Sequence, residues 1–189
     1  MASWDRVGEL GSWIEYLSQD LDRRNRWRLA PLLGVLWATC RRTVARWNTA
    51  AGVSDDWQRY YELLWSVGRK AGSISRQLLR LAIRVIPAEH LGQFICVALD
   101  DTPTARYGPK VEGADIHRDP TPGPSGHQHL YGHVWVMLSW VIRHPQFGAI
   151  GLPIRSLLYI RRKTFDTPVM RLLRPWAFRT KLELAAELV

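Results

Sequence analysis

The sequence has little of what several protein classes depend on. Its 189 residues include two cysteines, Cys40 and Cys96, too few for a disulfide framework or a four-thiolate zinc site. We expect both thiols to be buried in a reducing compartment. The longest apolar stretches, 30–40 and 134–142, are shorter than the about 20 residues that a membrane span needs. With no signal-peptide core near the N-terminus, the sequence predicts a soluble, cytoplasmic protein without a membrane partner.

Motifs for nucleotide binding and nucleophilic catalysis are also missing. The glycines that follow residue 103 fit neither the dinucleotide nor the P-loop fingerprint, and no serine or cysteine stands in a nucleophile elbow. Four histidines lie close together, but no cysteine or carboxylate lies among the last three, so hydrogen-bonded polar side chains are favoured over a zinc site. These histidines are His117, His127, His129 and His133.

Positive charge is abundant instead. Lysine and arginine number 26 against 17 aspartates and glutamates, which gives a formal net charge of +9. Charge of this size favours a polyanionic partner such as nucleic acid, although a soluble protein that is simply basic has the same composition. A hydrophobic fraction of 47% is typical of a globular protein and excludes wholesale disorder.

Residues 1–88 predict a helical domain. A helix, a short turn near Cys40 and a second helix over about 41–51 resemble a helix-turn-helix, with Gly52 as the stop. An ordinary helical hairpin with a solvated basic face fits this segment equally well. The residues expected to face outward there, as DNA contacts, are Arg41, Arg42, Thr43 and Arg46, with Asn48 exposed beside them.

A later helix of the same domain, opened by Ser73 and ended by Pro87, carries a basic stripe. Arg76, Arg80 and Arg84 recur every four residues, while apolar residues occupy other faces. We expect this helix to pack on the core and to present its guanidinium groups outward to DNA.

Residues 89–189 predict a sheet. The apolar run Phe94–Leu99 is typical of a strand buried on both faces, and a loop of about 27 residues, which is usually functional, follows from Pro103 to His129. Strands are expected over about Tyr131–Ile142 and Ile150–Ile160, and a helix over about Phe178–Val189. The predicted fold class is therefore α+β, with three antiparallel strands and a helix in the second domain.

The pair Asp100-Asp101 is the sharpest candidate for chemistry. A carboxylate at the end of a buried strand is held rigidly and still reaches solvent. Adjacent strand residues point to opposite faces, so only one of the two can face a given site. The structural alternative is that one aspartate caps the turn that Thr102-Pro103 would begin.

The run Cys96–Lys110, continued by Gly113–His117, resembles the cut-and-paste bacterial insertion-sequence transposases of the DDE class. Their catalytic domain is ribonuclease H-like. Other segments are similar to parts of the same family. Leu130–Val136 resembles its second strand, Gly151–Tyr159 its third strand, and Phe178–Ala185 the helix after it. Arg41–Val44 is similar to its DNA-binding region.

The resemblance implies a transposase that binds double-stranded DNA at element ends and cuts it with two Mg²⁺ or Mn²⁺ ions. Carried over, Asp101 is the first catalytic aspartate and a metal ligand, with Asp100 as the fallback. Neither Asp166 nor Glu183 sits where the family's second acid would. We therefore expect a truncated member that does not cut DNA alone and could act as a homo-oligomer. Further candidate DNA contacts are Arg161, Arg162 and Lys163.

Three functions stay open at this point. The chain is a transposase or its truncated remnant, a non-catalytic DNA-binding protein such as a repressor of the full-length enzyme, or a basic structural or interaction domain. The first two predict a DNA affinity that falls steeply with salt, whereas the third predicts no DNA binding.

Overall fold

The computed structural model describes residues 5–32, 43–53, 57–108, 111–119, 126–168, 170 and 177–189. Its contacts divide the chain into two compact units, Met1–Ile86 and Pro87–Val189. The described part of the first unit is helical and that of the second contains an antiparallel sheet, so the chain is α+β as predicted. No helix in the described ranges is long and apolar enough to cross a membrane.

The first unit is a set of packed helices. Leu21, Tyr60 and Leu63 form its buried centre, and partly buried side chains such as Val44 and Ile74 pack against them. The described helices are α1 (Asp5–Ser18), α2 (Arg23–Leu32), α3 (Val44–Ala50), α4 (Trp57–Arg69) and α5 (Ala71–Val85).

The segment predicted as a helix-turn-helix is described only in its second half. Residues 33–42, with Arg41 and Arg42, lie outside the described residues. Thr43 is the N-cap of α3, and its hydroxyl accepts a hydrogen bond from the amide of Arg46 at 3.4 Å. Beyond the end of α3, Gly52 has a φ of 71°, which favours glycine and fits its predicted role as a stop.

Asn48 corrects one expectation in this segment. It was expected to be exposed beside Arg46, but only 1% of it is accessible. Four residues separate it from Val44, so both lie on the same face of α3, and that face packs on the core. Asn48 is therefore not available as a DNA contact.

The second unit is built around one central strand. The described strands number four, one more than predicted: β1 (Cys96–Ala105), β2 (Asp115–Arg118), β3 (His129–His144) and β4 (Gly148–Tyr159). β1 pairs with one edge of β3, and β2 and β4 pair with the other, all antiparallel. Two short helices follow, α6 (Arg162–Phe165) and α7 (Lys181–Leu188).

β1 departs most from the sequence prediction. It does not end at Leu99 but continues to Ala105, so Asp100 and Asp101 lie within the strand and not at its tip. Pro103 is tolerated because β1 is an edge strand of the described sheet. Cys96, expected to be buried, is exposed for the same reason.

The expected 27-residue loop is also shorter than predicted, because β2 lies inside it. Asp115–Arg118 pairs with the first residues of β3. This strand was missed because four residues give too short a pattern of alternation to separate a strand from a loop.

Alternation along β3 defines the packed face of the sheet. Val134, Val136, Trp140 and Ile142 are buried, as their spacing predicts. The helix α7 covers part of this face, since Leu184 and Leu188 pack against Val136. We call this side of the sheet the packed face.

Leu182 was expected on the packing side of α7 but is 82% exposed. Side chains two residues apart in a helix point about 200° apart around its axis. Leu182 therefore points away from the sheet when Leu184 is buried against it. The helix begins with a capping box in which the Thr180 hydroxyl accepts from the Glu183 amide and the Glu183 carboxylate accepts from the Thr180 amide.

Candidate functional site

β1 presents its two aspartates to opposite faces of the sheet. The register pairs Asp101 with Val136 and Asp100 with Met137. Directly opposite residues of an antiparallel pair share a face, so Asp101 lies on the packed face with Val136. Asp100 lies on the other face, where its carboxylate accepts a hydrogen bond from the Asp101 amide at 2.8 Å.

Asp101 lines an open cavity of about 580 Å³ on the packed face. β1, β2, the end of β4, α6 and α7 all contribute to its lining. Asp101 is the one carboxylate among the lining residues of the described chain, and four permanent cations accompany it. Those cations are Arg118, Arg161, Lys163 and Lys181.

Lys181 is the closest cation to Asp101. Its ammonium forms an ion pair with the Asp101 carboxylate. The same ammonium lies 5.5 Å from the centre of the Tyr159 ring, within the range of a cation–π interaction. The Lys181 and Asp101 side chains are 44% and 41% exposed, so both remain accessible from the cavity.

The packing of α7 explains why Lys181 reaches this position. Leu184 and Leu188 seat the helix on the sheet, and Lys181 is its first residue. Sequence reasoning missed Lys181 as a site residue. The spacing of the two leucines predicts a buried helix face, but it carries no information about which strand that face meets.

A second carboxylate, Asp115, is buried beside the cavity and already has partners. It accepts a hydrogen bond from the Thr164 hydroxyl at 2.7 Å, and the Lys163 ammonium lies 3.1 Å away. The Arg161 guanidinium is 3.7 Å from the same carboxylate. Two of the predicted DNA contacts, Arg161 and Lys163, are therefore also the counter-ions of Asp115.

These contacts set the ionisation of Asp115. Burial raises the pKa of its carboxyl, but hydrogen bonds from Thr164, the Ile116 amide and Lys163 outweigh that effect, so the pKa lies below its usual value. Asp115 is thus charged at neutral pH. It lay within the expected loop, which is why the sequence did not single it out.

The four clustered histidines do not converge. His133 is buried, accepts a hydrogen bond from Arg106 through Nδ1 at 3.2 Å, and contacts the Glu112 carbonyl through Nε2 at 2.8 Å. It faces the side opposite the packed face, because it is the neighbour of Val134 along β3 and successive strand residues point to opposite faces. His127 and His129 are exposed. The interpretation of a hydrogen-bonded histidine holds for His133.

His117 is the exception, because its buried Nε2 has no hydrogen-bond partner in the described part of the chain. Burial lowers the pKa of its imidazole, and the nearby Asp115 carboxylate offsets only part of this effect. His117 is therefore neutral at pH 7. It lines the cavity on the packed face together with Asp101.

The remaining predicted DNA contacts among the described residues lie on exposed surfaces of their own units. Arg76, Arg80 and Arg84 are exposed along α5, as their spacing predicts. The Arg84 guanidinium stacks over the Tyr16 ring at 5.2 Å. In the second unit, the Arg162 guanidinium stacks over the Phe178 ring at 4.5 Å. Their contact with DNA stays a prediction.

An antiparallel sheet with an acidic edge strand and a covering helix is consistent with a nuclease-like domain. A family model described as DDE superfamily endonuclease matches residues 16–150, more than two thirds of the chain. The protein belongs to this family. No curated protein and no solved structure matches the chain.

Members of this family generally use divalent metals, so the cavity has to be tested for that role. Two ions about 4 Å apart need several carboxylates on one side of the site. Asp101 is paired with Lys181, Asp115 with Lys163 and Arg161, and Asp100 faces away.

Asp119 lines a depression along β1 with Asp100 and Asp101. However, no three histidine, cysteine, aspartate or glutamate side chains in the described ranges lie close enough to hold a metal ion. The described residues do not fit a two-metal centre.

Proposed function

We propose that the protein is a DNA-binding member of the insertion-sequence transposases within the DDE endonuclease family. The observation that carries this proposal is the family match, which runs from α1 to β4 and includes both the α5 arginines and Asp101. Its ligand is double-stranded DNA at the ends of an element.

Electrostatics supports the proposal in both units. The net charge of +9 favours a polyanion, and the exposed arginines of α5 form a row along one helix. The second unit adds four cations around one cavity. Contacts of this kind bind the phosphate backbone and do not depend on base sequence.

We further propose that the 189-residue chain binds DNA without cutting it. Asp101 faces the cavity but is neutralised by an ammonium group, and no second carboxylate lines that cavity among the described residues. This observation favours the second candidate function, a non-catalytic DNA-binding protein such as a repressor of an active family member.

DNA binding is tested by fluorescence anisotropy of a labelled duplex over a range of salt concentrations. We expect log affinity to fall linearly with log salt, by about 0.9 per phosphate contact. Replacing Arg76, Arg80 and Arg84 together by glutamine should lower that slope by about 2–3. Arg155→Gln is the matched control, since Arg155 pairs with Glu187 and lies outside both proposed DNA-contact surfaces.

The absence of cutting is tested with supercoiled plasmid carrying an element end, incubated with Mg²⁺ or Mn²⁺. We expect no nicked or linear product. Cleavage by the purified chain that Asp101→Ala abolishes would contradict the proposal. A chain that binds no duplex at low salt would instead favour the third reading, a basic structural or interaction domain.

A further inference from the structure

The cation that this chain places on Asp101 is an ammonium group. We propose that the cavity beside it binds one backbone phosphate of DNA directly, through Lys181 and the neighbouring basic side chains, with no divalent metal between protein and phosphate. This inference rests on the proposed DNA binding and specifies how one phosphate is held.

The charge balance of the cavity carries the argument. Four permanent cations line it, and the carboxylates of Asp101 and Asp115 balance two of them. These groups together leave a surplus of positive charge. A divalent cation would enter against that surplus, whereas a phosphodiester, with one negative charge, would reduce it.

The geometry of Lys181 fits the same ligand. Its ammonium has three hydrogen-bond donors, and Asp101 is its carboxylate partner. With 44% of the Lys181 side chain exposed, donors remain free to meet a phosphate oxygen in the cavity. The Tyr159 ring borders the same ammonium and limits where it can move.

In this arrangement Asp101 is a positioning residue. It holds Lys181 toward the cavity, while Leu184 and Leu188 hold the start of α7 against the sheet. Asp101, the family residue expected to bind metal, thus orients a phosphate-binding cation in this chain. Arg118, exposed on β2, also lines the cavity, but its pairing with His129 assigns its side chain to the other face of the sheet, so Lys181 is the principal phosphate contact.

Metal binding is tested by titrating Mn²⁺ into the full chain and following free Mn²⁺ by electron paramagnetic resonance, without DNA. We expect no saturable binding at micromolar Mn²⁺. Lys181→Met frees the Asp101 carboxylate and removes one positive charge, so it should raise Mn²⁺ affinity about tenfold, equivalent to about 1.4 kcal/mol. Adding Asp101→Asn to that variant should remove the gain.

Phosphate binding is tested by duplex anisotropy with the same variants. Lys181→Met should weaken binding and lower the salt slope by about one, because one phosphate contact is lost. Lys181→Arg keeps the charge and should keep the slope. Arg155→Met, which removes a basic residue that contacts α7 from outside the cavity, is the matched control and should leave the slope unchanged.

Three results would overturn the inference. These are micromolar Mn²⁺ binding by the wild type that Asp101→Asn abolishes, no gain of Mn²⁺ affinity in Lys181→Met, and an unchanged salt slope in that variant. Lys181→Gln repeats the test if the methionine variant does not fold by circular dichroism. A wild-type chain that binds no DNA refutes the proposed function itself, so the two failures are distinguishable.

Discussion

Gly132 is the position where one added methyl group should disturb the sheet most. It lies in β3 between two partners, Ala105 of β1 and Asp115 of β2. A Cβ atom built there would lie 2.1 Å from the Thr104 carbonyl oxygen and 2.9 Å from its carbonyl carbon. Both atoms belong to the backbone of β1, so no side-chain rotation can relieve the overlap.

The cost of Gly132→Ala follows from that overlap. An ordinary contact needs about 3.4 Å, so β1 would have to move by more than an ångström against a strand spacing of about 4.8 Å. Such a shift strains the backbone by about 1–3 kcal/mol and weakens neighbouring ladder bonds worth about 0.5–1.5 kcal/mol each. We expect a loss of about 2–4 kcal/mol in the free energy of unfolding.

The assay is urea unfolding of the full chain followed by circular dichroism, with Gly151→Ala as the matched control. Gly151 also lies in a strand of this sheet, but the nearest atom to its added Cβ is the Ser139 Cβ at 3.6 Å, an ordinary contact. In a parallel thermal melt, each loss of about 1 kcal/mol of stability should lower the melting temperature of a unit this size by about 4–8 °C. Equal stability of the two variants would refute the pairing of Gly132 with β1.

Three further predictions concern the surroundings of the cavity. Asp115→Asn should lower the free energy of unfolding by about 1–3 kcal/mol, because it leaves Lys163 and Arg161 without their carboxylate, and urea titration measures it. Because folding lowers the pKa of both His117 and Asp115, each group takes up a proton at a higher pH in the unfolded chain than in the folded chain. Stability should therefore fall as pH drops below about 6.5, where His117 of the unfolded chain is protonated, and again below about 4, where Asp115 of the unfolded chain is protonated. The first decline should vanish in His117→Gln, and its persistence there would assign it to another group. Thr180→Ala should cost about 0.5–2 kcal/mol by removing the N-cap of α7, while Thr180→Ser should retain most of the stability, and equal melting temperatures would argue against the cap.

Much of the fold could be predicted from spacing alone. The alternation along β3 marks the packed face correctly, and the leucines of α7 mark the face that it buries, apart from Leu182. The edge position of β1 could not be predicted, because an apolar run does not show whether a partner strand covers it. The apolar run from Phe94 to Leu99 predicts a buried strand, but Phe94 is 81% exposed in the described chain.

The candidate site was predictable only in part. The sequence singles out the Asp100-Asp101 pair, and the register assigns Asp101 to the packed face. Lys181 and Asp115 could not be predicted as site residues, because their roles depend on long-range contacts. Lys181 contacts Asp101, which lies 80 residues away in the sequence, and Asp115 contacts Thr164, which lies 49 residues away. Local patterns carry no signal for such contacts. Arg161 and Lys163 are predicted DNA contacts, but the sequence does not indicate that both also pair with the Asp115 carboxylate.

We propose that this chain holds DNA phosphates through its own cations and not through a metal ion. Duplex affinity measured in EDTA and in Mg²⁺ at matched ionic strength, by anisotropy on the full chain, separates these two modes of binding. We predict the same dissociation constant in both buffers. An affinity that appears only with Mg²⁺, and that Asp101→Asn removes, would show instead that a metal ion bound by Asp101 holds the phosphate.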